Sequence, residues 1–337
     1  MNDLPAPPKR IALVGAGVIG AAWAARWLLR GTDVAVTDPS SDAPRIVSQA
    51  LDNARHAWAR MGKTPKGEGR LSFFESIDAA VVDADVVQES VPEILELKTQ
   101  ILTEIERSVD ATTLIASSTS GLKPSVLQEA MKSPERLVVG HPFNPVYLLP
   151  MVEVVGGKLT SAETISRAMT LYESAGMRPL HVRVEVDAFI ADRLLEAVWR
   201  EALWLVNDGV ATTKEIDDVI RFGFGLRWAQ MGLFENYRIA GGEGGMAHFI
   251  SQFGPTLSWP WSKLTDTPEL TEALIERITE QSDAQSGDYT VRELERIRDD
   301  NLVGILLALE ANQWGAGQTI SKLRGYVLAA NFGSAPR

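Results

Sequence analysis

The sequence predicts an α/β protein with a doubly wound parallel sheet in its N-terminal part and an all-helical C-terminal domain. Short apolar strands alternate with helices from residue 10 to residue 186, the pattern of parallel strands with helical crossovers. Beyond Asp187, helical patterns follow one another without strands. We therefore predict domains at residues 1–186 and 187–337.

Composition narrows the class of protein. The chain has 337 residues, 45% of them apolar, which is enough for two buried cores. No apolar run reaches the length of a membrane span, and residues 1–10 are too short and proline-rich for a signal peptide. The absence of cysteine excludes disulfides and thiolate chemistry and fits a cytoplasmic protein. A net charge of -11 without basic blocks argues against a nucleic-acid partner, and we predict no metal site.

The first predicted strand, residues 11–14, runs into a glycine-rich turn that opens an apolar helix. The turn consists of Gly15, Ala16, Gly17, Val18, Ile19 and Gly20. Gly15 allows the tight turn, Gly17 lets a ligand approach the backbone, and Gly20 lets helix and strand pack closely. A strand, this turn and a helix N-terminus together predict a pyrophosphate site of the Rossmann type.

The second predicted strand, residues 33–37, ends in Asp38. A carboxylate at this place accepts both ribose hydroxyls of an adenosine and repels a 2′-phosphate, and residues 39–41 supply no arginine. The predicted cofactor is therefore NAD rather than NADP. A glycine-rich turn without a ligand is the alternative.

Further strands are predicted at residues 71–74, 84–90 and 113–116, with helices at residues 43–62 and 92–109. Polar clusters follow the strands at residues 89–93, 117–120 and 141, all on the edge where parallel sheets bind ligands. For residues 117–120, a helix cap and a substrate contact are both open interpretations.

Residues 137–140 and 152–155 predict two strands joined by a proline-rich turn. This hairpin can fold Glu153 back towards His141. A carboxylate that accepts one imidazole N–H fixes the tautomer, so that the other nitrogen can take a proton from a substrate hydroxyl. The alternative is a satisfied histidine at a strand end beside an edge charge.

The last predicted strand, residues 178–185, follows a helix at residues 161–175, and residues 192–209 predict an amphipathic helix. Trp204 points away from the apolar stripe of that helix, which indicates cover by another helix or another subunit.

In this order, the motifs resemble the 3-hydroxyacyl-CoA dehydrogenase superfamily over nearly the whole chain. They are residues 15–20, Asp38, Glu93 with Lys98, residues 119–120, His141 with Asn144, Glu153 and residues 189–195. The resemblance implies hydride transfer between a secondary alcohol and NAD, with His141 as general base and Glu153 orienting it. It also implies Ser120 and Asn144 near the substrate, Glu93, Lys98 and Ser120 near the nicotinamide half, and a homodimer. Where the family usually carries asparagine, this chain has Asp192, which can only accept hydrogen bonds when ionised. Asp192 is therefore either a substrate contact or the partner of a neighbouring arginine.

Substrate choice is a separate question. Residues 141–150, 222–232 and 259–261 resemble members of the superfamily that act on L-carnitine, a 3-hydroxy acid with a quaternary ammonium group. Aromatic faces bind such a group, and we predict a cage of Phe143, Phe253 and Trp228. Core or dimer packing of these rings is the alternative. The carboxylate partner stays open among Arg193, Arg227 and Arg238.

Three other functions stay open. A 3-hydroxyacyl-CoA dehydrogenase would need a basic surface for the CoA phosphates, for which Lys63, Lys66 and Arg70 are the candidates. An L-gulonate-type sugar-acid dehydrogenase shares the type of segment at residues 225–228. A non-catalytic NAD-binding protein would need neither His141 nor Glu153.

Overall fold

The computed structural model describes residues 4–240, 245–253 and 291–323, together with residues 262, 269, 271–274, 276–277 and 288. The chain divides into two compact units. The first contains Met1–Ile190 with Arg296–Arg337, and the second contains Ala191–Glu295. The domain boundary after residue 186 stays a prediction.

The first unit is built on one sheet of eight strands in the order β3-β2-β1-β4-β5-β6-β7-β8. The strands are β1 Arg10–Val14, β2 Asp33–Thr37, β3 Leu71–Phe74, β4 Val86–Glu89, β5 Leu114–Ser117, β6 Leu137–Pro142, β7 Met151–Val155 and β8 Arg178–Val182. All neighbouring strands are parallel except the pair β6 and β7, which are antiparallel. The predicted α/β class with a helical C-terminal part is confirmed.

Helices cover both faces of this sheet. They are α1 Val18–Leu29, α2 Ala43–Arg60, α3 Ile77–Val81, α4 Leu95–Ser108, α5 Pro124–Gln128 and α6 Ala162–Ser174. One core contains Trp23 of α1, Val47 of α2 and Tyr172 of α6. The core on the other face contains Leu102 of α4 and Leu127 of α5. Two apolar layers on one sheet leave the carboxyl edge of the strands free for polar loops.

The C-terminal helices α11 (Val291–Ala311) and α12 (Ala316–Ile320) add residues to the first of these cores. Val303, Leu306 and Ile320 are buried there. Lys63 Nζ of the loop after α2 lies 2.5 Å from Glu310 Oε1, and Asp300 pairs with Arg60. These contacts are the reason that residues after 295 belong to the first unit.

The second unit is helical where the structure describes it. Its helices are α7 Ala191–Asn207, α8 Thr213–Val219, α9 Gly225–Ala240 and α10 Gly245–Phe253, with a π-helical turn at Ile220–Phe224. A capping box of Thr212 and Glu215 begins α8. Leu203 and Val206 of α7 are buried. Leu194 and Leu195, which belong to the apolar stripe predicted for the helix at residues 192–209, are each 58% exposed. Trp204 is half-buried.

Two of the predicted element ends that differ from the observed ones have a structural cause. Helix α4 begins at Leu95 rather than at residue 92, because residues 92–94 form a turn that directs Glu93 into the carboxyl edge of the sheet. Strand β8 ends at Val182 rather than at residue 185, because the Glu185 carboxylate accepts the Ser125 N–H, 3.0 Å away. Along the described part of the chain, no helix combines the length and apolarity needed to cross a bilayer.

Candidate active site

The glycine-rich turn lies between β1 and α1. Gly15 has a φ of +97°, and a Cβ there would lie 2.6 Å from the Ser90 carbonyl oxygen. A Cβ at Gly20 would lie 1.9 Å from the Gly15 carbonyl oxygen, whereas a Cβ at Gly17 would meet nothing within 4 Å. Gly15 and Gly20 therefore serve a tight turn, and Gly17 leaves open space over the backbone.

The start of α1 suits an anion. Gly17 is its N-cap residue, and glycine has no side chain with which to cap the first N–H groups of the helix. Val18 is 64% exposed and Ile19 is half-buried. N–H groups without an N-cap side chain at the positive end of a helix fit the pyrophosphate of a dinucleotide.

Asp38 follows β2 and lies beside this turn. Its Oδ2 accepts the Ala16 N–H at 2.7 Å, and its Oδ1 accepts the Ser40 N–H at 2.8 Å. The two backbone donors hold the carboxylate at the carboxyl edge of the sheet. Each oxygen keeps a lone pair for a ribose hydroxyl, as NAD requires.

Glu93 holds the loop that carries Ser120. Its Oε1 accepts the N–H groups of Ser120 and Gly121, each at 3.1 Å, and a hydrogen bond from the Thr119 hydroxyl. Burial by itself would raise the pKa of Glu93, but the Thr119 hydroxyl, the Lys98 charge and the Gly121 N–H together hold it below its usual value. Glu93 is therefore a carboxylate that orders residues 119–121.

Lys98 connects Glu93 to a second carboxylate. Its Nζ lies 3.3 Å from Glu93 Oε2 and 2.8 Å from Glu89 Oε1, and it is 1% exposed. Glu89 is fully buried at the end of β4 and also accepts the Ser117 hydroxyl at 2.5 Å. Sequence reasoning placed Glu89 at this edge but gave it no partner. The sequence did contain a signal for this pairing: Glu89 is a charged residue at the end of an apolar strand, and a charged side chain that is buried there must be paired.

His141 and Glu153 meet across β6 and β7. They are directly opposed in the antiparallel register, and His141 Nδ1 lies 2.9 Å from Glu153 Oε2. Their exposed fractions are 5% and 1%. The other carboxylate oxygen, Oε1, accepts the Ile190 N–H at 3.0 Å. This donor was not predicted, because a backbone N–H 37 residues away leaves no mark in the sequence.

Phe143 and Asn144 lie in the loop after β6. The Phe143 ring centroid is 5.6 Å from that of His141, and the side chain is half-buried. Asn144 is exposed and precedes a cis peptide bond to Pro145. Phe143, predicted for the ammonium cage, and Asn144, predicted near the substrate, thus follow His141 on one loop, with the Phe143 ring beside the imidazole.

Buried donors anchor the rest of this loop. Arg26 Nη1 donates to the Val146 carbonyl at 2.9 Å, and Trp58 Nε1 donates to the Tyr147 carbonyl at 2.8 Å. The Tyr147 hydroxyl donates to Asp299 Oδ2 at 2.6 Å. Helices α1, α2 and α11 therefore hold the backbone next to Phe143 and Asn144.

The remaining predicted substrate residues belong to the second unit. Asp192 lies in the first turn of α7. The Trp228 ring packs on Phe224 at 4.5 Å, and the Phe253 ring packs on Phe249 at 5.0 Å, with exposed fractions of 39% and 42%. Residues 259–261 and the Arg238 side chain lie outside the described residues. Across the part of the chain that the structure describes, no three histidine or acidic side chains cluster as a metal site would require.

Comparison with known families covers most of the chain. Residues 10–186 match the family described as 3-hydroxyacyl-CoA dehydrogenase, NAD binding domain. Residues 189–280 match 3-hydroxyacyl-CoA dehydrogenase, C-terminal domain.

Several curated relatives are similar along nearly the full chain. A protein of Agrobacterium fabrum named L-carnitine dehydrogenase/betainyl-CoA thioesterase is 57% identical over 96% of this chain and 66% of its own length. Proteins named L-carnitine dehydrogenase from Mesorhizobium japonicum and Pseudomonas aeruginosa are 56% and 55% identical, over 86% and 94% of their own lengths. The chain spans 64 to 66% of the length of the first two relatives, both of which carry the double name.

Solved structures also match this chain over most of its length. An NAD⁺-dependent 5-formyl-3-hydroxy-2-methylpyridine 4-carboxylic acid 5-dehydrogenase matches with a TM-score of 0.76 and 27% identity, over 90% of this chain and 98% of its own. A (S)-3-hydroxybutyryl-CoA dehydrogenase from Ralstonia eutropha matches with a TM-score of 0.55 and 25% identity, over 64% of this chain and 77% of its own. The chain therefore belongs to the 3-hydroxyacyl-CoA dehydrogenase family of NAD-dependent dehydrogenases, with NAD as its cofactor and the NAD-binding domain at residues 10–186.

Proposed function

We propose that this chain oxidises the 3-hydroxyl of L-carnitine to 3-dehydrocarnitine with NAD. The observation that carries the chemistry is the buried hydrogen bond between His141 and Glu153 at the carboxyl edge of the sheet. The substrate is taken from the names of relatives that are 51 to 57% identical to this chain.

His141 is the proposed general base. Because Glu153 engages Nδ1, Nε2 is the atom that takes the proton of the substrate hydroxyl. Residues 15–20 would hold the pyrophosphate of NAD, and the bound cofactor would supply the acceptor for the hydride that leaves C3 of the substrate. The C3 hydroxyl becomes a carbonyl, the proton rests on His141 and then passes to water. Oxidation is favoured at alkaline pH, because the base must be neutral and a proton is released.

Ser120 and Asn144 are the proposed polar contacts of the reacting oxygen. The Ser120 backbone is held by Glu93, and Asn144 follows Phe143 beside the imidazole. Both side chains can donate to the oxygen of the product ketone. Glu93 and Lys98 order the loop on the nicotinamide side.

Phe143, Trp228 and Phe253 are the proposed cage for the trimethylammonium group. A quaternary ammonium has no N–H, so aromatic faces rather than acceptors bind it. Phe143 supports this role through its position beside His141, and the other two rings are 39% and 42% exposed. Asp192 is the proposed acidic contact of the same cationic substrate.

The proposal includes a cytoplasmic homodimer. The exposed Leu194, Leu195 and Trp199 of α7 form an apolar surface of the kind that subunits bury. The absence of cysteine suits a reducing compartment, and a net charge of -11 provides no electrostatic attraction for a nucleic acid.

Ion pairs in the basic region that was considered for the CoA phosphates argue against an acyl-CoA substrate and therefore favour carnitine. Lys63 is paired with Glu310 at 2.5 Å, and Arg70 is paired with Asp33 at 3.2 Å. The carboxylate partners of Lys63 and Arg70 weaken the attraction of this region for a polyanion.

The test is NADH formation at alkaline pH with L-carnitine, D-carnitine, L-gulonate and 3-hydroxybutyryl-CoA, each with NAD and with NADP. Activity with L-carnitine and NAD alone is the expected result. Activity confined to L-gulonate or to the CoA ester would keep the His141 chemistry and discard the cage. Absence of NADH formation with every substrate would favour a non-catalytic NAD-binding protein.

A further inference from the structure

The β8–α7 linker (residues 183–190) supplies two groups to the proposed dyad. The Ile190 N–H donates to Glu153 Oε1 at 3.0 Å, so the linker backbone and His141 bind opposite oxygens of one carboxylate. The Phe189 ring lies next to the imidazole, with centroids 5.8 Å apart and an interplanar angle of 53°. Adjacent residues of the linker thus touch both members of the dyad.

The linker backbone adopts an unfavourable conformation to make these contacts. Ala188 and Phe189 have φ values of +60° and +49°, in the left-handed region that residues with a Cβ avoid. A hydrogen bond from the Phe189 N–H to the Val186 carbonyl closes the turn at 3.1 Å. Strain of this kind persists only where surrounding contacts impose it, and it concentrates at functional sites.

Burial of Phe189 offsets the strain. The side chain is fully buried in a small core with Val139, Val155 and Val182. Upstream, Glu185 accepts two hydrogen bonds from Ser125, and Lys123 Nζ lies 2.8 Å from Asp187. The linker is therefore fixed upstream by Glu185 and Asp187 and downstream by the Ile190 N–H. Close packing of the small core then leaves the Phe189 ring a single position.

We propose that Phe189 is a positioning residue of the dyad, because its burial sets the plane of the His141 ring and brings the Ile190 N–H to Glu153. This inference rests on the proposed role of His141 as general base. Without the ring, the Ile190 N–H can move away from Glu153 Oε1, and the Glu153 carboxylate can turn relative to His141 Nδ1. A small displacement of the general base lowers turnover rather than substrate binding.

The test compares Phe189→Ala with two other variants of the same core. We expect Phe189→Ala to lower kcat by about 10- to 100-fold, with the Kd of NAD and the KM of L-carnitine changed less than about threefold. Val182→Ala opens a cavity in the same core without touching the imidazole, so it should lower Tm and leave kcat near the native value. Phe189→Leu retains most of the buried volume and should regain kcat to within about fivefold of native.

A second readout does not depend on the substrate. The chain has four histidines, so long-range ¹H–¹⁵N spectra of histidine-labelled protein can follow His141, assigned by its loss in His141→Ala. We expect the Nδ1 proton signal of His141 to be present in the native protein and in Val182→Ala, and lost to solvent exchange in Phe189→Ala.

The two readouts separate failure of the inference from failure of the proposed function. If native protein oxidises none of the hydroxy acids but Phe189→Ala loses the Nδ1 signal, the positioning role stands and the substrate assignment falls. If Phe189→Ala keeps both kcat and the Nδ1 signal, the positioning role is wrong. Equal losses of kcat in Phe189→Ala and Val182→Ala would also overturn it, because the effect would then belong to the core in general.

Discussion

His141 and Glu153 are directly opposed residues of antiparallel strands in an otherwise parallel sheet, and this reversal joins imidazole and carboxylate at 2.9 Å. In a parallel pair, the chain returns through a crossover and the two residues would lie at distant positions of the sequence. Here a hairpin places the proposed base and its orienting carboxylate on the same face, with the cofactor turn at the same edge.

The first prediction concerns this pair. We expect His141→Ala to lower kcat by about 10²- to 10⁴-fold while the Kd of NAD, measured by fluorescence titration, stays within about threefold. Glu153→Gln keeps an acceptor for the Ile190 N–H, so its kcat should fall less than that of His141→Ala. A parallel loss of NAD affinity would show that His141 is structural.

The second prediction concerns the choice of cofactor. Asp38→Asn keeps the shape of the side chain but removes the charge that faces the ribose, so the KM for NAD should rise by about tenfold, the value of one charge-assisted hydrogen bond. The ratio of kcat/KM with NAD to kcat/KM with NADP should fall at the same time. Asp42→Asn is the matched control, because Asp42 is exposed and pairs with Arg45 on α2.

The third prediction concerns acid stability. The pKa of Glu93 is lowered in the folded protein, so its contribution to stability is present above the unfolded carboxyl value and is lost as pH falls through the folded value. At pH 7, Glu93→Gln should reduce the free energy of unfolding by about 1 kcal/mol, discounted because the carboxylate is half-exposed. The difference between the urea midpoints of the two proteins should shrink as pH falls below the ordinary glutamate value of about 4.3. A constant difference down to pH 3 would contradict the assigned shift.

The fourth prediction concerns recognition of the ammonium group. Phe143→Leu should raise the KM for L-carnitine by about 5- to 30-fold, the range expected for loss of one cation–π contact. The neutral isostere 3-hydroxy-5,5-dimethylhexanoate has the same shape without the charge, and its KM should change far less. Equal effects on the two substrates would mean that Phe143 contributes shape only.

The fifth prediction concerns the anchor of the substrate loop. Arg26 is fully buried and donates to the carbonyls of Ala175, Val146 and Gly176. Arg26→Met leaves three acceptors without their donors and should lower the free energy of unfolding by about 3 kcal/mol. Arg30→Met on the same helix breaks one hydrogen bond, to Ser174, and should cost about 1 kcal/mol. Similar midpoints for both variants in urea would contradict the anchoring role.

Local spacing accounts for what could be predicted. The strand, glycine turn and helix around residues 15–20 are consecutive in the chain, and Asp38 ends the next strand, so their proximity follows from the order of elements. The hairpin likewise relates His141 to Glu153 over a short loop. The N-terminal start of α4 was misplaced because the pattern does not show that Glu93 turns back to the Ser120 loop.

The sequence by itself determined the fold class, the cofactor turn and the proposed dyad, because each is written in hydrophobic periodicity or in short motifs with fixed local geometry. Only the tertiary structure decided that Glu89 and Glu93 share the buried Lys98, that Asp299 binds Tyr147, and that Phe189 adopts a left-handed backbone beside His141. These contacts join residues on different elements, and a buried polar group must find its partners among the groups packed around it. Such pairing depends on which elements the folded chain brings together, and no single segment encodes it.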